Sequence, residues 1–119
     1  MIKDEYKIDR CVNEIKTIIR AVEIEYGIVN VNSGSRTKAD NDRAGGSKTS
    51  QHMLGRAVDF SVPNVHILKV AGFLLNKISK YPWTRMAIDL EGNWMHVDIK
   101  DIAVVPMVRW YDKDGKWTS

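Results

Sequence analysis

Apolar residues at Ile8, Cys11, Val12, Ile15, Ile19 and Val22 recur at the spacing of one helical face, and Gly27 follows where such a helix would end. The pattern predicts a first helix over roughly residues 7–26, with Cys11 on its stripe as a small buried hydrophobe. Ile28 to Val31 reads as a short strand. From Ser33 to Gln51 the periodicity vanishes, and the chain holds Gly, Ser, Asn, Asp, Lys and Arg with almost nothing apolar. Ala57 to Val62 is a predicted strand, Pro63-Asn64 a turn, and Ile67, Leu68, Ala71, Leu74, Leu75 and Ile78 mark a second helix stopped before Pro82. Three further strands follow at Met86–Asp89, Trp94–Ile99 and Val104–Tyr111. Glu91-Gly92-Asn93 turns between the first two, and Asp112 to Gly115 forms a turn near the C-terminus. With no repeat and no compositional break, residues 1–119 read as a single α+β domain. Two helices pack on one face of a mostly antiparallel sheet.

The long polar stretch departs from an ordinary connector. Structureless loops of that length are uncommon in compact domains, and a charged loop between two buried elements suits the wall of a site.

Composition narrows the partners. Hydrophobic residues at 44% and charged residues at 28% are the balance of a globular domain. The net charge is +3 and the pI about 9.0, but Lys and Arg are scattered, with no basic block interleaved with aromatics. Nucleic acid is therefore not an expected partner. A mild attraction to an anionic surface, such as a bacterial wall polymer, is compatible with the excess. The one cysteine excludes an internal disulfide. No apolar run is long enough for a signal peptide or a membrane span. The expectation is a monomer made in the cytosol without a signal peptide, with no membrane partner, that reaches other compartments only by release or export.

The candidate chemistry lies in two histidine-containing segments. His52 begins a segment His-Met-Leu-Gly-Arg-Ala-Val-Asp that ends at Asp59 on a predicted strand, and His96 sits in another strand within Asn93-Trp94-Met95-His96-Val97-Asp98. Two imidazoles and one carboxylate are a common ligand set for catalytic zinc, with a fourth position left for water. Gly55 would let the backbone turn so that His52 and Asp59 converge. A His and an Asp seven positions apart also occur by chance, so the spacing alone does not establish a metal. Asp59 adds weight, because a carboxylate between Val58 and Phe60 in a buried strand needs a partner. His66, at the start of the second helix, reads as a surface or end-of-helix residue.

Several blocks together carry a resemblance. Ser33-Gly34-Ser35-Arg36, Gly45-Gly46-Ser47, Ser50-Gln51-His52-Met53-Leu54-Gly55-Arg56-Ala57-Val58-Asp59 and Trp94-Met95-His96-Val97-Asp98 resemble, in order, the M15 family of zinc peptidases. That family includes D-alanyl-D-alanine carboxypeptidases, D-Ala-D-Ala dipeptidases and phage endolysins, and the Hedgehog signalling domain shares its fold. The resemblance implies a Hedgehog/DD-peptidase-like domain with one Zn²⁺ held by His52, Asp59 and His96. It also implies hydrolysis of an amide bond in peptidoglycan stem peptides. Arg36 matches an arginine that faces substrate, and Ser50 a serine beside the first ligand that hydrogen-bonds substrate; Trp94 is a candidate pocket wall. In several branches of the family an acidic residue three positions before the last histidine carries the proton; here that position is Asn93, which cannot. Asp98, Glu91 and Asp89, in that order, are the nearby carboxylates that could substitute. Asp98 could equally orient a ligand or pair with an arginine. Substrate recognition without turnover, by a zinc-stabilised binding domain of the same fold, is the alternative.

Overall fold

Ile15, Ile18, Ile19 and Val22 form one face of helix α1 (Asn13–Tyr26), and all four are buried. The predicted single helix over 7–26 is in fact two pieces, a 3₁₀ turn at Glu5–Ile8 and then α1. The break has a tertiary cause. The Val12 N–H donates to the Gly55 carbonyl, and Arg10–Cys11 pack so closely on Gly55 that a Cβ there would lie 2.7 Å from the Arg10 oxygen. Ile8 and Cys11 still reach the core, so the apolar pattern was retained while the backbone left the helix. The computed structural model describes residues 1–46, 50–101 and 106–118.

The strands are β1 (Ile2–Lys3), β2 (Val29–Ser33), β3 (Ala57–Ser61), β4 (Arg85–Asp89), β5 (Trp94–Asp98), β6 (Met107–Tyr111) and β7 (Trp117–Thr118). Among the described residues they form one sheet in the order β1-β2-β3-β5-β4-β6-β7. The pairs β2–β3, β3–β5, β4–β5 and β6–β7 are antiparallel, as expected; β1–β2 and β4–β6 are parallel, which makes the sheet mixed. The two-residue strands β1 and β7 carry too little alternation to be legible in sequence. Of the strand expected at Val104–Tyr111, Met107 onward is observed and residues 104 and 105 lie outside the described residues, as does Ser47.

Alternation divides the sheet into two chemical faces. Val58 and Phe60 of β3, Met95 and Val97 of β5, and Met86 and Ile88 of β4 pair across the ladder on one face and are fully or almost fully buried. Helices α1 and α3 (Ile67–Asn76) contribute to this core, α3 through Ile67, Val70, Ala71 and Leu74. Trp83 anchors one end, its indole N–H donating to the Leu74 carbonyl at 3.0 Å. Each such fully buried large side chain contributes about 1.5–3 kcal/mol. The opposite face presents Asp59, His96, Asp98, Arg85 and Asp89 in adjacent registers.

The polar stretch covers that second face. It is not a structureless loop: Lys38–Arg43 form a short helix, α2, whose N-terminus is capped by the Thr37 hydroxyl accepting from the Asp40 N–H. The helix has no apolar stripe, and its buried residue is the polar Asn41, so hydrophobic periodicity could not reveal it.

Candidate metal centre

Register brings the chemistry together. In the β3–β5 ladder Asp59 pairs directly with His96, so both side chains rise from neighbouring strands on the same face. His52 arrives from the 3₁₀ turn Gln51–Leu54, which ends at Gly55 in a left-handed conformation (φ 68°) before β3 begins. All three side chains are buried, and their ligand-capable atoms lie within 4.8 Å of one another.

Each imidazole has one nitrogen engaged behind the cluster and the other facing its centre. His52 Nδ1 is 2.7 Å from the Gly34 carbonyl, leaving Nε2 at 3.1 Å from Asp59 Oδ1. His96 Nε2 is 2.7 Å from Asp98 Oδ2, leaving Nδ1 at 2.8 Å from the same Asp59 Oδ1. A carbonyl or carboxylate behind each imidazole sets its tautomer and orientation, the arrangement metal-binding histidines require. The donor set fits a zinc ion: two imidazole nitrogens and one carboxylate oxygen converging at a partly open cavity.

Electrostatics agree. Burial pushes the Asp59 carboxyl up, but hydrogen bonds from His52 and His96 outweigh it and hold the group far below the ordinary carboxylate range. Burial pushes His96 down, yet its bonds to Asp59 and Asp98 overcome this and raise it to about 9. Burial likewise opposes ionisation of Asp98, while His96 and Arg85 bring it to about 2. The site attracts positive charge, which a cation among the three side chains satisfies as a shared proton does.

The other candidate residues sort by position. The Arg36 backbone N–H donates to the His52 carbonyl, and its guanidinium donates to Ser33 Oγ (2.9 Å), Asn41 Oδ1 (3.4 Å) and Asp59 Oδ2 (3.5 Å) at the cavity edge. Ser50 caps the 3₁₀ turn by accepting from the His52 N–H at 3.2 Å, and it also lines the cavity. Trp94 lines it too, with its ring 4.8 Å from that of Tyr111. Asp98 lies behind the cluster: it is fully buried, grips Arg85 through Nε and Nη2 at 2.7–3.1 Å and holds His96. It fixes the His96 ring and pairs with Arg85, and does not line the cavity. Glu91 is exposed in the β4–β5 turn and faces a different depression. Asp89 lies on the His96 face, opposite Trp94, with Oδ1 accepting from the Gly92 N–H at 2.7 Å.

Asn93 has another task. With φ 55°, its Oδ1 accepts from the Ile67 N–H at the start of α3 while its Nδ2 donates to the Val65 carbonyl at 3.1 Å. It is committed to the helical layer. His66 also sits at this helix end, its Nδ1 accepting from the Leu68 N–H.

Sequence reasoning did not find Arg85, Lys100, Tyr111, Lys116 or Trp117, all of which line the same cavity of about 490 Å³. Trp117 lies 5.2 Å from the His96 ring and 4.7 Å from the Arg85 guanidinium, measured between centroids and to the guanidinium carbon. Of these only Tyr111 lay in an expected strand, and alternation there does not say what the strand faces; the other four carried no local signal.

The profile of the family described as Peptidase M15 matches residues 4–98, which span every block from Ser33 to Asp98 and all three clustered ligand candidates. No curated protein matches the chain.

Proposed function

The chain belongs to the M15 peptidase family, and from that premise we propose that it is a zinc metallopeptidase hydrolysing amide bonds in peptidoglycan stem peptides, as a carboxypeptidase or an endopeptidase. The observation that carries the reading is the buried His52–Asp59–His96 cluster, with Gly34 and Asp98 fixing which imidazole nitrogens face its centre.

In this reading His52 Nε2, Asp59 and His96 Nδ1 hold the ion. A bound zinc supplies Lewis acidity at the scissile amide, polarising it and sharpening water as a nucleophile. Arg36, held by Ser33 and Asn41, donates hydrogen bonds to the carbonyl oxygen as negative charge develops there. Ser50 and Trp94 orient the peptide from the cavity wall. For proton transfer, the sealed Asp98 and the outlying Glu91 are poorly disposed. Asp89 lines the same outer depression as Glu91, beside Tyr111, but of the two it is the one whose register sets it on the His96 face. The substrate lies in the bacterial wall, reached by release or export, and a phage or prophage lysis enzyme is the setting that suits such a domain.

Incubating zinc-loaded protein with purified peptidoglycan is expected to release new amino groups, and His96→Ala is expected to release none. If both are silent, the peptidase reading fails. Asp89→Asn is expected to keep the zinc and lose about 100-fold in turnover, the usual contribution of a positioned base.

One observation favours a second reading, a zinc-stabilised domain that binds wall peptides without cutting them. Among the described residues lining the cavity, Asp59 is the only carboxylate, and it belongs to the metal cluster. That reading predicts tight peptide binding, lost on chelation, with no product by mass spectrometry.

A further inference from the structure

The match to the family profile ends at residue 98, but the cavity does not. Beyond that point the chain adds Lys100, just after β5, and the β6–β7 hairpin, which brings Tyr111, Lys116 and Trp117 to the cavity. The hairpin is fastened there by pairing of β6 with β4 (Ala87 opposite Arg109) and by the aromatic contacts Trp94–Tyr111 and His96–Trp117. One wall of the site is thus made of residues beyond the matched span.

The charge of this wall is one-sided. The described lining carries four permanent cations, Arg36, Arg85, Lys100 and Lys116, against the single carboxylate of Asp59. Two of the cations are already spent. Arg36 lies at 3.5 Å from Asp59, and Arg85 is locked on Asp98. Among the described residues, Lys100 and Lys116 join no ion pair. A cleft that concentrates unpaired ammonium groups beside partly apolar walls focuses a positive field on whatever enters it.

We propose that Lys100 and Lys116, with Tyr111 and Trp117 beside them, form an anion subsite of this chain that selects peptides bearing a free carboxylate next to the scissile bond. The proposal rests on the peptidase reading above and names the substrate class within it: acidic peptides, whose carboxylate is taken on the hairpin wall. Lys suits this task as a mobile point charge on a flexible stem, able to meet a carboxylate in more than one pose. The neighbouring rings pack against the methylene carbons that carry it.

The test uses the zinc-loaded full chain and two synthetic probes: L-Ala-D-Glu-L-Lys-D-Ala-D-Ala, and the same peptide with every carboxylate converted to a carboxamide. Binding is measured by titration calorimetry and cleavage by mass spectrometry, at about 0.05 M and about 0.5 M salt, either side of the ionic strength where screening becomes strong. The expected result is binding of the acidic peptide about tenfold tighter than its amide, the worth of one charge-assisted hydrogen bond, shrinking at high salt. The double variant Lys100→Gln/Lys116→Gln is expected to bring the ratio near one, and Lys116→Glu to invert it, with circular dichroism showing that both variants fold. Equal binding of the two probes, or a preference that survives the double variant, overturns the proposal. Equal cleavage of both probes overturns it and leaves the peptidase reading intact. Carboxylate-dependent binding without cleavage supports the subsite and overturns the peptidase. Binding of neither probe overturns both.

Discussion

The carbonyl of Gly34 decides which nitrogen of His52 is free, and the residue has no room for a side chain: a Cβ would lie 1.9 Å from the Lys7 carbonyl oxygen. Gly34→Ala is expected to lower stability by about 1–3 kcal/mol, the cost of overpacking, and to weaken zinc binding because the carbonyl must move. Thermal unfolding and a zinc titration check the two effects separately. Asp98→Asn removes a charge that Arg85 and His96 share, with little change in shape. It is expected to reduce zinc affinity about 10–100-fold, the usual cost of losing a partner behind a ligand, as measured by competition with a chromophoric chelator. Cys11 is a quieter case. Burial raises its thiol above the ordinary 9.0, so the folded state keeps the proton longer than the unfolded chain does. Its contribution to stability is therefore complete below pH 9.0 and is lost as the pH rises through the higher folded value. Iodoacetamide at alkaline pH is expected to leave the native thiol unmodified and to label it in urea, and Cys11→Ala should flatten the alkaline limb of stability.

At the level of elements, the β4–β5 turn serves two layers at once. Its Asn93 caps α3 through the Ile67 N–H, on the side away from the metal cluster, while Asp89 at the preceding strand end shares the face of His96. Asn93→Ala should cost about 1–2 kcal/mol, as loss of a helix cap does, with zinc affinity little changed, since none of the three ligands touches the amide. Asn93→Asp keeps the acceptor for Ile67 and loses the donor to Val65. It is expected to destabilise the domain and not to raise turnover, which denaturant unfolding and the peptidoglycan assay would both register. The missing acid at this position therefore says less about catalysis than the spacing of residues suggested. A side chain at the turn is directed by the positive φ and by the helix it serves, not by strand alternation.

For the whole molecule, an ion held by the His52–Asp59–His96 cluster would be coupled to the fold. Helices α1 and α3 hold one face of the sheet by apolar burial, whereas the other face gathers buried His52, Asp59, His96 and Asp98 in place of a second apolar core. An ion that binds the folded chain and not the unfolded one stabilises it by about 4 kcal/mol at a thousandfold excess over Kd. Chelation is accordingly expected to lower Tm by several degrees, and His52→Ala to abolish the difference between zinc-loaded and stripped protein. If stripped and loaded protein melt together, the cluster does not bind zinc.

Periodicity along the chain was enough to place α1, α3 and the strands from β2 to β5, because a 3.6- or 2-residue repeat of apolar side chains follows directly from burying one face. The motif residues were enough to nominate His52, Asp59, His96 and Arg36. Other features had no local signature. The helix α2 buries a polar residue, β1 and β7 are too short to alternate, and the break before α1 exists because Val12 donates to Gly55, 43 positions on. The roles of Asp98, Glu91 and Asp89 could not be separated either, since spacing gives the parity of a side chain and not what lies across the ladder. Register paired Asp59 with His96 and Asp98 with Arg85, and it carried the hairpin from beyond the matched span onto the cavity. Those are contacts between strands distant in sequence, and only folding brings them within reach of one another.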